Sequence, residues 1–376
     1  MKKFLFLLPV FLILTLFVSC KDANKGTKVE IFLSKTWPKE KAAAWMAEQP
    51  WLVGCDYIPA NAINQLEMWQ AETFDTVTIA KEMTLAKSIG FNTLRVYLHS
   101  LAWEADSAGF KNRINTFLDI TSRNGIRPLF VIFDDCWNPY PKIGAQPQGI
   151  PFTHNSGWVQ DPGMDAHKNW EAAFPKLERY VKDLLTSFAD DKRILMWDLY
   201  NEPGNAGPIS KDVPRPAAYG NESMPLVKKV FEWARAVNPS QPLTMGIWNL
   251  DLKELNEFQL ANSDILTYHN YSNLEDHARE IKFLQMHGRP MICTEYMSRG
   301  SKSTFADILP LLKENHIGAI NWGFVNGKTQ TIYPWDSWDK EYKGVPDLWF
   351  HDIFNADHTP YDANEVELIK SLTGVN

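Results

Sequence analysis

Two glutamates close apolar, strand-like runs: Glu202 in "ILMWDLYNEPGN" (194–205) and Glu295 in "MICTEYMSR" (291–299). A proline follows Glu202, so the backbone there is pushed from the helical region toward extended geometry, and Pro203 has no N–H for a sheet ladder. The expectation is an extended strand that stops with its acid at the rim. Two carboxyl groups at one end of a sheet are the minimum for cleaving a glycosidic bond. The oxocarbenium-like transition state needs a proton on the departing oxygen and negative charge or a nucleophile beneath the anomeric carbon. The two acids must also have unlike pKa values, which neighbours of different charge can arrange. Either glutamate alone would suit a solvated or salt-bridged rim equally well; the pairing carries the inference.

The elements that must position them are legible. Strand-like runs lie at 51–57, 93–98, 128–133, 194–200, 243–248, 265–269, 291–294 and 318–323. Residues 74–90 and 111–125 space apolar side chains at helical intervals and end in Gly, and further helices are expected over 174–188, 223–239, 252–260, 276–288, 303–316 and 364–372. The strand runs are continuously apolar rather than alternating, as in a parallel sheet buried on both faces. Eight strand-and-helix units in 376 residues predict an α/β fold, a single closed (β/α)8 TIM barrel, with Glu202 and Glu295 ending strands four and seven at one mouth. No GxGxxG follows the first strand and no GxxxxGK[ST] occurs, which argues against nucleotide chemistry. Two long irregular stretches, 134–173 and 324–358, follow strands three and eight and are rich in Trp, as expected of walls around a site.

Composition bounds the rest. The formal net charge is −7 and the pI about 5.8, with no Lys/Arg block, so nucleic acid is excluded as a partner. Fifteen Trp exceed core needs and offer apolar faces to a ligand. "MKKFLFLLPVFLILTLFVSC" reads as a secretory signal whose "FVSC" resembles a bacterial lipobox, with Phe17 where Leu is usual. The expectation is a signal peptide over 1–19, lipidation at Cys20, a tether over 20–36 and a catalytic domain over 37–376. The protein would then be an exported bacterial lipoprotein, periplasmic or cell-surface, held to a membrane only by lipid; an uncleaved anchor helix is the alternative. Cys55, Cys136 and Cys293 are odd in number and are expected as buried free thiols. Without CxxC, HExxH or an acid-rich calcium loop, neither metal nor cofactor is expected.

Taken in order, the segments resemble the clan A retaining glycoside hydrolases, closest to glycoside hydrolase family 5, the cellulase-like group, over essentially the whole body. "GFNTLRVYLHSLAW" is similar to the family's second-strand segment and its arginine, here Arg95. "LYNEP" matches Asn-Glu-Pro, which implies Glu202 as acid/base and Asn201 as partner of the sugar 2-hydroxyl. "YHNY" is similar to the sixth-strand His-x-Tyr, His269 and Tyr271; Glu295 takes the nucleophile position and Trp322 that of the tryptophan under the cleaved sugar. Arg95 and Tyr271 could donate hydrogen bonds to Glu295 and favour its ionised form. Arg95 could equally pair with Asp198 inside the barrel, and His269 could be a core histidine. Trp137, Trp158 and Trp103 suit a subsite or the core. The chain departs from the family after strand three, where histidine is common and "FDDCWNP" stands here; Asp134 and Asp135 are expected on sugar hydroxyls, with His99 supplying an imidazole from elsewhere. The resemblance implies a retaining β-glycoside hydrolase acting on carbohydrate without a cofactor. Two alternatives stay open, a transglycosylase on the same barrel and a non-catalytic glycan-binding surface lipoprotein. A binder would have little reason to keep Asn201, Glu202, Tyr271 and Glu295 together.

Overall fold

The computed structural model describes residues 36–208, 210–212 and 219–375; Cys20, the signal segment and nearly all of the tether lie outside them. Eight strands run in parallel: β1 (Val53–Asp56), β2 (Thr93–Tyr97), β3 (Arg127–Val131), β4 (Met196–Asp198), β5 (Leu243–Thr244), β6 (Leu266–His269), β7 (Met291–Glu295) and β8 (Gly318–Asn321). Their order is β5-β4-β3-β2-β1-β8-β7-β6. The last seam closes beyond the short β5, where Ile247 bridges Tyr268: Ile247 N–H donates to Thr267 O at 3.0 Å and His269 N–H to Ile247 O at 2.8 Å. The result is a (β/α)8 barrel.

Both strand faces are buried, which explains the continuous apolar runs. In β2, Leu94 and Val96 join the layer between sheet and helices, while Arg95 and Tyr97 point into the barrel. The interior is apolar toward its floor, with Leu52, Ile265, Ile292 and Ile320, and polar toward the C-terminal mouth, with Asp56, Arg95, Asp198 and Glu295. The helices follow their sequence signals. Thr76–Ser88 starts at Asp75, whose carboxylate caps the N–H groups of Val77 and Thr78, and it buries Ile79, Met83 and Ala86 at successive turns. Trp170–Ser187 starts at an Asn169 cap and buries Leu177, Tyr180, Val181, Leu184 and Leu185.

Four short helices escape the periodicity: Lys39–Ala47, Gln65–Trp69, Ser100–Ala105 and Met164–Lys168. Lys39–Ala47 buries only Ala42, too little for an apolar stripe, yet that residue and half-buried Trp45 and Met46 plug the barrel floor. Cys55, Cys136 and Cys293 are buried free thiols, as expected. Among the described residues no helix is long and apolar enough to cross a membrane.

Asp264 holds the floor to the wall. Its fully buried carboxylate accepts from Trp37 N (2.7 Å), Leu243 N (2.8 Å) and both terminal nitrogens of Arg235 (2.8 Å each), joining the lead-in, β5 and the helix Met224–Val237. Removing one partner of such a pair leaves an uncompensated buried charge. Asp264→Ala is therefore expected to lower stability by about 3 to 5 kcal/mol, seen in urea as a lower midpoint with an unchanged slope; a midpoint shift within error of zero would disprove the role.

Candidate active site

Glu295 ends β7 and points into the mouth with its side chain 6 % exposed. Its two oxygens are held differently. Oε1 accepts from Arg95 Nη1 at 2.8 Å and from the Tyr97 hydroxyl at 3.0 Å; Oε2 accepts from the Tyr271 hydroxyl at 2.7 Å and lies 3.5 Å from His269 Nδ1. Arg95 does both things proposed for it from sequence. Besides Glu295 it reaches Asp198 through Nε and Nη2 (3.0 and 2.8 Å), Asp56 through Nη1 (3.0 Å) and Asn201 Oδ1 through Nη2 (2.7 Å). Burial opposes the Arg95 charge, but Tyr97, Asp198, Asp56 and Glu295 outweigh it and hold the guanidinium protonated. Burial likewise pushes Tyr271 and then the Glu295 charge pushes it further up, so the phenol keeps its proton as a donor.

Glu202 does not sit in an extended strand. β4 ends at Asp198, and Glu202 has φ 43°, in the left-handed region. Pro203 disfavours only the right-handed helical region at the preceding residue, and the chain turns at positive φ instead of running straight. The turn presents the carboxyl to His269, whose Nδ1 lies 2.8 Å from Oε1, while Asn205 Nδ2 (2.6 Å) and the Cys136 thiol (3.2 Å) donate to Oε2. Burial pushes the Glu202 pKa up, but the His269 bond and charge, with Cys136 and Asn205, outweigh it and hold the carboxyl below the usual glutamate value. One oxygen of Glu202, one of Glu295 and a His269 nitrogen all lie within 4.8 Å of one another. Among the described residues this is the trio near enough to share a cation, but the donors on both carboxylates organise it as acid, imidazole and acid within a hydrogen-bonded network.

The other predicted residues divide. Asn201 is inside the site, fixed at one end by Arg95 and at the other by Nδ2 donating to Asp134 Oδ1 at 2.9 Å. Trp322 is half-buried and packs edge-to-face with Tyr97 (5.9 Å) and Trp158 (5.8 Å), forming an aromatic wall. Trp137, also half-buried, stacks on Trp338 at 6.3 Å on the wall made by the loop after β3. Trp103 lies outside the mouth, against Tyr180 and bonded to Asp183.

Two expectations are corrected. His99 is fully buried at the N-cap of Ser100–Ala105, where its Nδ1 accepts from Leu101 N, and it does not reach the mouth. Asp135 is fully buried too: Oδ1 takes Tyr200 (2.6 Å) and His167 (3.1 Å), and Oδ2 takes Gly204 N (2.7 Å) and Ser223 (2.6 Å). No lone pair is left for a sugar hydroxyl. Asp134, with Asn201, Trp158, Gln65 and Cys136 N on its oxygens, is equally occupied. Three site residues were missed. Tyr97 was available to sequence reasoning as the second residue past Arg95 on the same strand face. Cys136 and Asn205 carry no such signal, because loop paths bring them to Glu202.

The family model for cellulase (glycosyl hydrolase family 5) matches residues 58–328. The chain belongs to glycosyl hydrolase family 5. The matched stretch takes in both glutamates, Arg95, Asn201, His269, Tyr271 and Trp322. No curated protein matches this family 5 chain by sequence. Its fold is similar to that of the exo-β-1,4-mannosidase Op5Man5 from Opitutaceae bacterium strain TAV5, with a TM-score of 0.58 and 17 % identity over 86 % of this chain and 59 % of that one. It is also similar to GH5_18 from Streptomyces cattleya in complex with GlcNAc, with a TM-score of 0.57 and 11 % identity over 86 % and 79 % of the two chains. An endo-1,4-β-mannanase from Rhizomucor miehei has a TM-score of 0.57 and 14 % identity over 87 % and 95 %. The chain thus spans less than two thirds of the mannosidase's length, and at these identities the likeness is one of fold.

The burial of Asp135 makes a prediction. If its role is to pin the Gly204 turn behind Glu202, Asp135→Ala leaves several buried donors unsatisfied at about 1 to 3 kcal/mol each, and thermal unfolding falls markedly. A sugar contact would instead weaken ligand binding with stability unchanged, and that result would reverse the correction.

Proposed function

We propose that this family 5 protein hydrolyses a β-glycosidic bond with retention, by double displacement, with Glu295 as nucleophile and Glu202 as acid/base. The observation that carries the reading is the separation of the two carboxyl groups together with their unlike partners. An oxygen of each carboxyl lies within 4.8 Å of one on the other, which favours the close pair of direct attack, about 5 to 5.5 Å between groups, over the roughly 6.5 to 9.5 Å that leaves room for a water. Glu295 Oε1 takes both Arg95 and Tyr97, whereas Oε2 takes Tyr271 alone and lies 3.5 Å from His269 Nδ1, so Oε2 is the attacking atom. Arg95, Tyr97 and Tyr271 fix the orientation of this carboxylate in the mouth, as a nucleophile requires.

In the first step Oε2 displaces the leaving oxygen while Glu202 supplies its proton; in the second, Glu202 takes a proton from water as that water attacks the glycosyl-enzyme. Asn201 turns the amide hydrogen that otherwise makes the long 3.7 Å contact with the Cys136 sulfur to the sugar 2-hydroxyl, and Trp322 offers its face to the C–H side of the ring. His269 Nδ1 stands between the two acids, 2.8 Å from Glu202 Oε1 and 3.5 Å from Glu295 Oε2. The substrate is a β-linked oligo- or polysaccharide. β-1,4-Mannosides head the substrate panel because mannosidase and mannanases share this fold.

The asymmetry of the two acids tests the assignment. Glu295→Ala is expected to lower hydrolysis by several orders of magnitude on every substrate, since no other group can form the glycosyl intermediate. Glu202→Ala should spare activated aryl β-glycosides relative to natural glycans, and azide should speed its turnover by replacing water that lacks a general base. Azide rescue of Glu295→Ala with retained stereochemistry would exchange the roles; a wild type that binds glycans but cleaves none of a broad panel would make the protein a binder.

We further propose export and lipidation at Cys20, on the strength of "FVSC" after an apolar run. Cys20→Ser should release the protein from the membrane fraction or leave it unprocessed, with the barrel's unfolding unchanged. Normal processing and membrane retention in that variant would refute the anchor.

A further inference from the structure

The segment after β3 delivers a thiol to Glu202. Cys136 is 6 % exposed, and its sulfur accepts from the amides of Asn205 (3.3 Å) and, more distantly, Asn201 (3.7 Å). With both amides donating to the sulfur, the one thiol hydrogen is left for the acceptor beside it, Glu202 Oε2 at 3.2 Å. Asn205 donates to the same oxygen at 2.6 Å. Oε2 therefore has both in-plane lone pairs engaged by neutral donors, and a proton placed there would displace one of them. Oε1 has a single partner, His269 Nδ1, and keeps a position for a proton.

We propose that Cys136 is a positioning residue for the reaction: with Asn205 it occupies Glu202 Oε2, so that Oε1 is the atom that carries the proton to the leaving group. The inference rests on the acid/base role assigned to Glu202 above. Burial, then the charges of Glu202, Asp134 and Glu295, push the thiol pKa well up, so Cys136 remains a donor throughout the working range. An imidazole in this segment would titrate there. The thiol is thus a permanent donor and not a switchable one.

The titratable groups facing Glu202 are Asp134 and Cys136 from the loop after β3, His269 and Tyr271 from β6 and its following turn, and Glu295 from β7. Substitution at Cys136 leaves all the others in place. A donor to a carboxylate favours its ionised form and lowers its pKa, so deleting the donor raises it. The acid must be protonated in the first step, so the alkaline limb of kcat/KM moves to higher pH.

The test measures kcat/KM against pH for Cys136→Ala and Cys136→Ser, on an activated aryl β-glycoside and on a substrate with a poor leaving group. For Cys136→Ala the alkaline limb should rise by about half to one pH unit, and the poor leaving group should lose about tenfold, several times more than the activated one. Cys136→Ser keeps a donor and should restore both the limb and the ratio between substrates. A purely structural cysteine would lower stability and leave the limb in place, and that result, or equal shifts for Ala and Ser, overturns the proposal. A second readout needs no turnover: the S–H stretching band, assigned by its loss in Cys136→Ser, should shift as Glu202 ionises and stop shifting in Glu202→Gln. If the wild type cleaves no glycoside, the hydrolase reading fails while this band still decides the thiol contact; a band indifferent to Glu202 ionisation overturns it.

Discussion

A guanidinium sealed inside the barrel mouth organises this protein. Arg95 is fully buried, and a buried charge is tolerated only where partners satisfy it. Its N–H groups reach Asp56 on β1, Asp198 on β4, Glu295 on β7 and Asn201 beyond β4, with Tyr97 beside it on β2. Four strands distant in sequence are thereby drawn to one point. Any shift of one strand against another would leave a charge or a donor unpaired in a medium where that is expensive, so the barrel's register and the geometry of the mouth are one constraint.

The two glutamates inherit different environments from that arrangement. Glu295 stands on a strand and takes a charged donor and two phenols, all from rigid strands or their immediate ends. Glu202 stands on a left-handed turn and takes an imidazole, an amide and a thiol. The first set includes a charged guanidinium, whereas the second adds two neutral donors to an imidazole. In the proposed double displacement these unlike settings separate nucleophile from acid/base, the one on a strand and the other on a loop.

The turn carrying Glu202 is itself supported from behind. Asp135 receives Gly204 N together with Tyr200, His167 and Ser223, so a carboxylate that reads in sequence as a mouth residue acts as a bracket for the loop. Trp158 joins the two halves of the site, donating to Asp134 and packing its ring against Tyr97 and Trp322. The long loop after β3 therefore builds the wall and also holds the acid in place.

Local signals determined a great deal. Eight apolar runs, helical spacing of apolar side chains and glycines after helices depend on neighbours a few residues away, and they were enough to place the strands and the helices between them. Strand order then put Glu202 and Glu295 at one mouth, and the period of a strand put Tyr97 beside Arg95. Tertiary structure decided what those residues meet. Whether Arg95 served Asp198 or Glu295 depended on barrel closure, which let it serve both. Whether Asp135 and His99 faced sugar or protein depended on the path of loops whose backbone follows no period, and both face protein. The thiol at Glu202 and the left-handed turn beneath it are likewise products of that path. Hydrogen-bond partners a hundred residues apart are selected by which buried groups would otherwise go unpaired, and that is settled only when the whole barrel has closed.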